Sequence, residues 1–210
     1  MNVSIIGAGK VGTALAGSIA KAGHDVTITA SSKGSAAEAS AGRSGARVVG
    51  SNREAVEAGD VVVLAVPSAA VDDVLDEIAD LLDDKVVVDV TNRVSREDPA
   101  SVLDGTSNAE RIQARVPAAR VAKAFNTAFA VRQTDPLVDG TPADGYVACD
   151  EEDAKRTVLE LVGSVGFHPV DAGPLVMSRV LEAMAMLIVW LQIQHGWSWQ
   201  NAWKLIGPTD

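Results

Sequence analysis

Residues 3–12 read Val3-Ser4-Ile5-Ile6-Gly7-Ala8-Gly9-Lys10-Val11-Gly12, a short apolar run that breaks into G-x-G-x-x-G and continues as an Ala-rich segment to Gly23. The pattern calls for a strand, a tight turn and a helix that opens among the glycines, and each glycine has its own task. Gly7 lets the chain turn out of the strand, Gly9 lets the backbone approach a pyrophosphate, and Gly12 lets the helix pack closely on the sheet. The bare N–H groups and the dipole at the helix start favour an anion there, with Ala8, Lys10 and Val11 completing the candidate phosphate turn. A glycine-rich turn in some other α/β fold is the competing reading. The second apolar run at Val26–Thr29 favours the dinucleotide turn.

Outward from this turn, strand-like and helix-like segments alternate. Val3–Ile6, Val26–Thr29, Arg47–Val49, Val61–Val66 and Val86–Val90 read as buried parallel strands, and Val121–Phe125, Tyr146–Cys149 and Pro169–Val170 continue the series. Helical stretches fall at Lys10–Ala22, near Ala36–Ser40, and at Arg53–Ala58, Ala69–Leu82 and Glu151–Val165, the last with Gly166 as its stop. The order predicts a Rossmann-type, doubly wound, mostly parallel α/β sheet. Val94–Arg115 lacks clean periodicity and reads as a long loop with a short helix around Ala109–Arg115. Leu175–Ile206 reads as a long apolar helix broken near Gly196, and it holds all four Trp: 190, 197, 199 and 203. The expected organisation is therefore a nucleotide-binding domain over residues 1–174 and a helical extension over 175–210, as a dimer element or pocket lid.

A chain of 210 residues, 47% hydrophobic and 22% charged, is globular and long enough to bury a core. Its net charge of −10 argues against nucleic acid as a partner. The longest uncharged apolar run, Ala183–Ile193, is short for a membrane span and polar residues follow it, so neither a membrane nor a secretory leader is expected. A lone Cys149 cannot form an intrachain disulfide, which fits a reducing cytoplasm.

The end of the second strand separates the two nicotinamide dinucleotides. NAD sites place a carboxylate there for the ribose hydroxyls. This chain has Ala30-Ser31-Ser32-Lys33, and two hydroxyls with an ammonium suit a 2′-phosphate, so NADP(H) is favoured over an ordinary polar turn. In an open α/β sheet ligands sit outside the carboxyl ends of the strands. That edge gathers Val66, Pro67 and Ser68 after the fourth strand, Thr91 and Asn92 after the fifth, and Asn126, Thr127 and Ala130 after the sixth. Each alone reads equally as a turn or helix cap. Together they make a candidate site for the ribose and the nicotinamide carboxamide.

Several stretches then match a known family. The opening Val3–Gly12, Leu64-Ala65-Val66-Pro67, Val88-Asp89-Val90-Thr91-Asn92 and Lys123-Ala124-Phe125-Asn126-Thr127 are followed by Gly166-Phe167-His168-Pro169-Val170-Asp171-Ala172-Gly173-Pro174-Leu175, Ser178-Arg179 and Leu181-Glu182. With these the chain resembles, over nearly its full length, the F420-dependent NADP oxidoreductases, which reduce the deazaflavin coenzyme F420, and the cytosolic domains of STEAP-type metalloreductases. The resemblance implies hydride transfer between NADP(H) and coenzyme F420, a small-molecule redox substrate, with the two rings stacked. Such a transfer needs alignment more than a catalytic acid or base. Two departures stand out. The family's Arg-rich turn after the second strand is Ser31-Ser32-Lys33 here, and the His-Thr pair of some members is Asn126-Thr127, as in the STEAP-like branch.

No catalytic constellation and no metal set emerges. His24, His168 and His195 are far apart in sequence, Ser178 lacks a nucleophile-elbow context, and Cys149 reads as a small buried residue. Arg93, Arg96 and Arg132 are candidates to meet an anionic second substrate, against the common alternative of surface ion pairs. The Trp-rich segment is expected to form a homodimer contact. Two alternatives stay open: an NADPH-dependent flavin or metal reductase, and a non-catalytic NADP(H)-binding redox sensor.

Overall fold

A computed structural model describes residues 1–29 and 44–207. In chain order the strands are β1 (Asn2–Ile6), β2 (Asp25–Thr29), β3 (Arg47–Val49), β4 (Val61–Leu64), β5 (Val86–Asp89), β6 (Arg120–Lys123), β7 (Leu137–Val138), β8 (Thr141–Pro142), β9 (Asp144–Cys149) and β10 (His168–Gly173). The helices are α1 (Lys10–Lys21), α2 (Asn52–Ala58), α3 (Val71–Ile78), α4 (Asn108–Arg115), α5 (Ala130–Thr134), α6 (Glu152–Ser164) and α7 (Ser178–His195). The helix expected near Ala36–Ser40 lies outside the described residues, as do Ser31, Ser32 and Lys33.

Eight strands form one sheet in the order β10-β9-β6-β5-β4-β1-β2-β3, and β7 and β8 form a separate hairpin. The first six run parallel, with Val3 opposite both Val26 and Val61. The chain reverses between β1 and β4, the topological switch point at which doubly wound sheets bind ligands. β9 is antiparallel to β6, and β10 is parallel to β9. A parallel return needs a long crossover, normally a helix packed on the sheet. Between β6 and β9 the chain makes only the five-residue α5 and the β7–β8 hairpin, and so it comes back in the opposite direction.

Strand residues alternate between two faces, as pleating requires. Val61 and Val63 of β4 join Ile5, Leu15 and Val158 on the face covered by α1 and α6. Val62 and Leu64 join Val56, Leu75 and Ile112 on the face covered by α2, α3 and α4. At the antiparallel end, Tyr146 and Ala148 pack against Leu181 of α7 and against Trp203.

Leu175–His195 forms 21 residues of continuous helix, counting a leading 3₁₀ turn, with a mean hydropathy of 1.6 over an 18-residue stretch. By length and composition alone it can cross a bilayer, although Arg179 and Glu182 interrupt it and its uncharged apolar run is Ala183–Ile193, as read from sequence. Here one side of it is built into the domain: Leu181, Glu182, Ala185, Met186 and Ile188 are buried. The helix ends where expected, at Gly196 (φ 64°), but beyond it residues 197–207 form no helix. The Trp197 N–H caps onto the Gln192 carbonyl, and the chain then runs back toward Asp144.

α4 is fixed at both levels of structure. Ser107 caps it, and Glu110 closes a capping box by accepting the Ser107 N–H at 2.9 Å. Arg179 of α7 grips the same carboxylate at 2.7 and 2.9 Å, so the cap also docks α7. Chiefly through Arg179, the Glu110 carboxyl is held down at about 2 against an ordinary 4.5. A carboxyl depressed in the folded state stabilises the fold above its ordinary value and loses that contribution as pH falls toward 2. Carbon-13 titration of the Glu110 carboxyl is therefore expected to give a midpoint near 2 in the parent, returning toward the ordinary range in Arg179→Met.

Candidate functional site

The β1–α1 turn has the backbone geometry that its glycines were expected to provide. Gly7 sits at φ 109°, and a Cβ there would meet the Ala65 carbonyl at 2.7 Å. A Cβ on Gly12 would lie 2.0 Å from the Gly7 carbonyl, so helix and turn touch backbone to backbone. Gly9 differs: a Cβ added there meets nothing within 4 Å, and the residue is exposed. The space above Gly9 is open, as a cradle for a phosphate must be. Gly9 also caps α1, and no side chain fills that cap. The first N–H groups of α1 therefore face the opening. Thr29, at the end of β2, braces the turn by accepting the Gly7 N–H at 3.1 Å.

The other half of the site is the carboxyl edge of β4, β5 and β6. Thr91, Asn92, Asn126 and Thr127 come together there, as the sequence predicts. Asn92 and Asn126 interlock: Asn92 Nδ2 donates to the Asn126 carbonyl at 2.9 Å, and Asn126 Nδ2 donates to Asn92 Oδ1 at 2.8 Å. Ser68 and Thr91 are bridged, each hydroxyl accepting from Asn108 Nδ2, at 2.7 and 2.8 Å. The Ser68 and Thr91 hydroxyls and Asn126 Nδ2 are thus held on protein partners, while the buried Asn126 Oδ1 has none, and these groups shape the edge as much as they line it. Val66, Pro67 and Asn92 are half-buried or exposed at this edge, with Ala130 at the start of α5. A cleft of about 360 Å³ opens beside Ser68 and Asn92, bounded by Asp72, Arg93 and Arg111.

Beneath the edge lies a charge network that sequence reasoning missed. Register places Asp89 of β5 directly opposite Lys123 of β6, both fully buried. Lys123 Nζ donates to Asp89 at 2.8 Å, to the Thr91 carbonyl at 2.6 Å and to Glu182 at 2.8 Å, which uses all three of its protons. Glu182, also fully buried, accepts in addition from the Asn108 N–H at 2.8 Å and from Arg93 Nε at 2.7 Å. Two cations thus balance two carboxylates, and strand ends, loop and α7 are joined at one point. The available signal was the Asp and the Lys that follow the apolar residues of two adjacent strands, because a buried charge must find a partner.

Other expectations sort as follows. Arg93 is held by Glu182 and by the Asp104 and Val102 carbonyls, and Arg132 by the Gln200, Asp135 and Leu137 carbonyls. Both are therefore paired within the fold, Arg93 while bordering the cleft beside Ser68 and Asn92, and of the three only Arg96 stands exposed. Cys149 is buried, and that burial pushes its thiol up. His168 bonds Asp144 at 2.8 Å, and His24 bonds the chain's own amino terminus and Ser164. Among the described residues no group of three or more His, Cys, Asp or Glu could hold a metal ion.

Residues 2–93 match a family model described as NADP oxidoreductase coenzyme F420-dependent. The F420-dependent NADP reductase of Methanothermobacter thermautotrophicus is 32% identical over 218 residues, spanning 93% of this chain and 90% of that protein. The metalloreductase STEAP3 of Rattus norvegicus is 33% identical over 140 residues, and the match spans only 27% of that longer protein. A solved structure from Arthrobacter sp. FB24, provisionally described as an F420-dependent NADP-reductase, superposes with a TM-score of 0.85 over 98% of this chain and 99% of its own, at 24% identity. At that identity the last comparison speaks for the fold.

The buried network makes a direct prediction. Lys123→Met leaves the buried Asp89 with no cation and Glu182 with Arg93 alone, and removing one member of a buried ion group costs about 3–5 kcal/mol. Urea unfolding is expected to show that loss with no change in slope, and a change within the range of a surface substitution would contradict the account.

Proposed function

Because this chain belongs to the F420-dependent NADP oxidoreductase family, we propose that it is an NADP(H)-dependent enzyme that moves a hydride between the nicotinamide and the deazaflavin coenzyme F420. The observation that carries the reading is the β1–α1 turn. It is closed by glycines on two sides, open above Gly9, and placed at the switch point of a doubly wound sheet. In this reading the backbone of Gly7, Ala8, Gly9, Lys10, Val11 and Gly12 holds the pyrophosphate. Ser31, Ser32 and Lys33, at the end of the second strand in sequence, hold the 2′-phosphate. Val66, Pro67 and Ser68 line the ribose side, and Thr91, Asn92, Asn126, Thr127 and Ala130 form the nicotinamide end.

Paired redox cofactors supply the hydride chemistry when bound, and the chain's part is position and exclusion of water. The interlocked Asn92–Asn126 pair, beside the Thr91 carbonyl that Lys123 holds, gives the floor such alignment needs. The cleft beside Ser68 and Asn92 is the proposed entry for the second substrate. We also infer a homodimer through the outer face of α7, where Val180, Leu187, Trp190 and Ile193 stay exposed, and a cytoplasmic setting in keeping with the single buried Cys149. Sedimentation of Leu187→Glu against the parent checks the dimer: a parent that runs as a monomer at every concentration would refute it.

The deciding experiment titrates the protein with NADPH and NADH, then adds oxidised coenzyme F420 and follows its absorbance. Preferred NADPH binding with bleaching of F420 is the expected result. NADPH binding without bleaching would move the acceptor to a flavin or a metal ion, or leave a binding protein without turnover. Lys33→Ala should weaken NADPH binding more than NADH binding, and equal losses would remove Lys33 from the 2′-phosphate site.

A further inference from the structure

We propose that residues 197–206 act as a strap that sets the turn after β6, with Trp199 as a positioning residue for the site. The inference rests on the reading of that turn, Phe125–Ala130, as the nicotinamide end.

The turn begins under strain. Phe125 has φ 60°, a left-handed conformation that an aromatic residue adopts only when its surroundings force it. The first half of the turn is forced from inside. Gln133 Nε2 donates to the Phe125 carbonyl at 2.8 Å and to the Ala128 carbonyl at 3.2 Å, while Asn92 holds the Asn126 carbonyl and Asn126 Nδ2 reaches the Leu181 carbonyl at 3.0 Å. In the second half, Phe129–Ala130, the Phe129 carbonyl accepts the Arg132 and Gln133 N–H groups at 2.8 and 3.2 Å as α5 begins, and no side chain caps that helix. From outside, α1 reaches α5 through the Ser18 hydroxyl, which donates to the Gln133 carbonyl, and the strap holds the Phe129 ring. The Trp199 indole meets the Phe129 ring edge-on, with centroids 5.4 Å apart and planes at 66°. One residue further on, the Gln200 carbonyl accepts from Arg132 Nε of α5 at 2.7 Å.

The strap is itself under tension and anchored at both ends. Trp199 is a second left-handed aromatic residue, at φ 61°. Its N–H donates to Oε1 of the buried Gln192 at 2.9 Å. At the far end, the Asp144 N–H donates to the Trp203 carbonyl at 3.0 Å, and the Asp144 carboxylate takes Lys204 Nζ at 2.8 Å and the Leu205 N–H at 2.5 Å. Burial alone would raise that carboxyl, but these bonds and the one from His168 together outweigh it and hold it low. A free tail would relax Trp199 out of its conformation. A core-filling Trp would be buried, whereas Trp199 is 39% exposed, so its main structural consequence is where it puts Phe129.

The test compares the parent with Trp199→Ala and Trp199→Phe by amide hydrogen exchange without ligand and by NADPH titration, with a thermal melt to show that the variants fold. The expectation is faster exchange confined to residues 125–130 in Trp199→Ala, and NADPH affinity reduced about two- to tenfold, a bound set by the strength of one edge-to-face ring pair. Trp199→Phe, which keeps a ring at that position, should restore both. Exchange unchanged in the turn, or altered exchange with unaltered affinity, would overturn the proposal. Failure of the parent itself to bind NADPH would overturn it too, and would be recognised as failure of the site reading because it appears before any substitution. Should Trp199→Ala not fold, Trp199→Leu keeps apolar bulk while losing the ring contact, and it is judged by the same two readouts.

Discussion

Everything at the carboxyl edge of the sheet stands on the ammonium of Lys123. Three directional donors on one buried nitrogen reach three separate elements: the last residue of β5, the backbone after it, and the second turn of α7. Apolar packing could bury the same surface, but it is non-directional and tolerates small rotations of α7 against the strand ends. The ion group does not. Glu182 must stay where both Lys123 and Arg93 reach it, and through the Asn108 N–H it also fixes the start of α4. Desolvating such charges is costly, and the arrangement is tolerable only because every proton of Lys123 and both oxygens of Glu182 find partners. The result is a rigid floor under Thr91 and Asn92.

The two halves of the site are made by different physics. At the β1–α1 turn the chain achieves closeness by omission: no Cβ at Gly7 or Gly12, and no capping side chain at Gly9. At the strand-end edge it achieves position by addition, through interlocked amides, bridged hydroxyls and the ion group below. An anion needs open space and bare N–H groups, whereas a ring that must be aligned needs a surface that does not move.

This contrast also explains what could be read from sequence. The glycine turn was legible because glycine is nearly the only residue that fits φ 109° beside another carbonyl, so its spacing records geometry directly. The six parallel strands were legible because each carries a run of Val, Ile, Leu or Ala residues that are mostly buried. The reversal at β9 was not, since Tyr146–Cys149 is as apolar as any parallel strand and direction is set by the connection before it. The Lys123 group was hidden because its members lie in four separate stretches, Asp89, Arg93, Lys123 and Glu182. Each one alone passes for a surface charge. The partners of Arg93 and Arg132 were hidden for the same reason: the carbonyls that occupy them have no signature in the sequence. The strap was invisible because an apolar, Trp-rich run reads as helix, while a left-handed Gly196 and the pull of Asp144 turn it into extended chain.

The groups that could serve acid–base or nucleophilic chemistry point the same way. Cys149 is buried with its thiol pushed up, the opposite of what activates a nucleophile. His168 is tied to a carboxylate that also anchors the strap, and Ser178 bonds Ser107 and the Leu175 carbonyl inside the fold. Lys123 has no proton to give without breaking the floor. Each of these groups is committed to holding the structure, which leaves alignment as the chain's contribution to a reaction. Hydride transfer between two flat rings is a reaction for which alignment is sufficient, and the proposed activity therefore asks nothing of these residues beyond what the fold already makes them do.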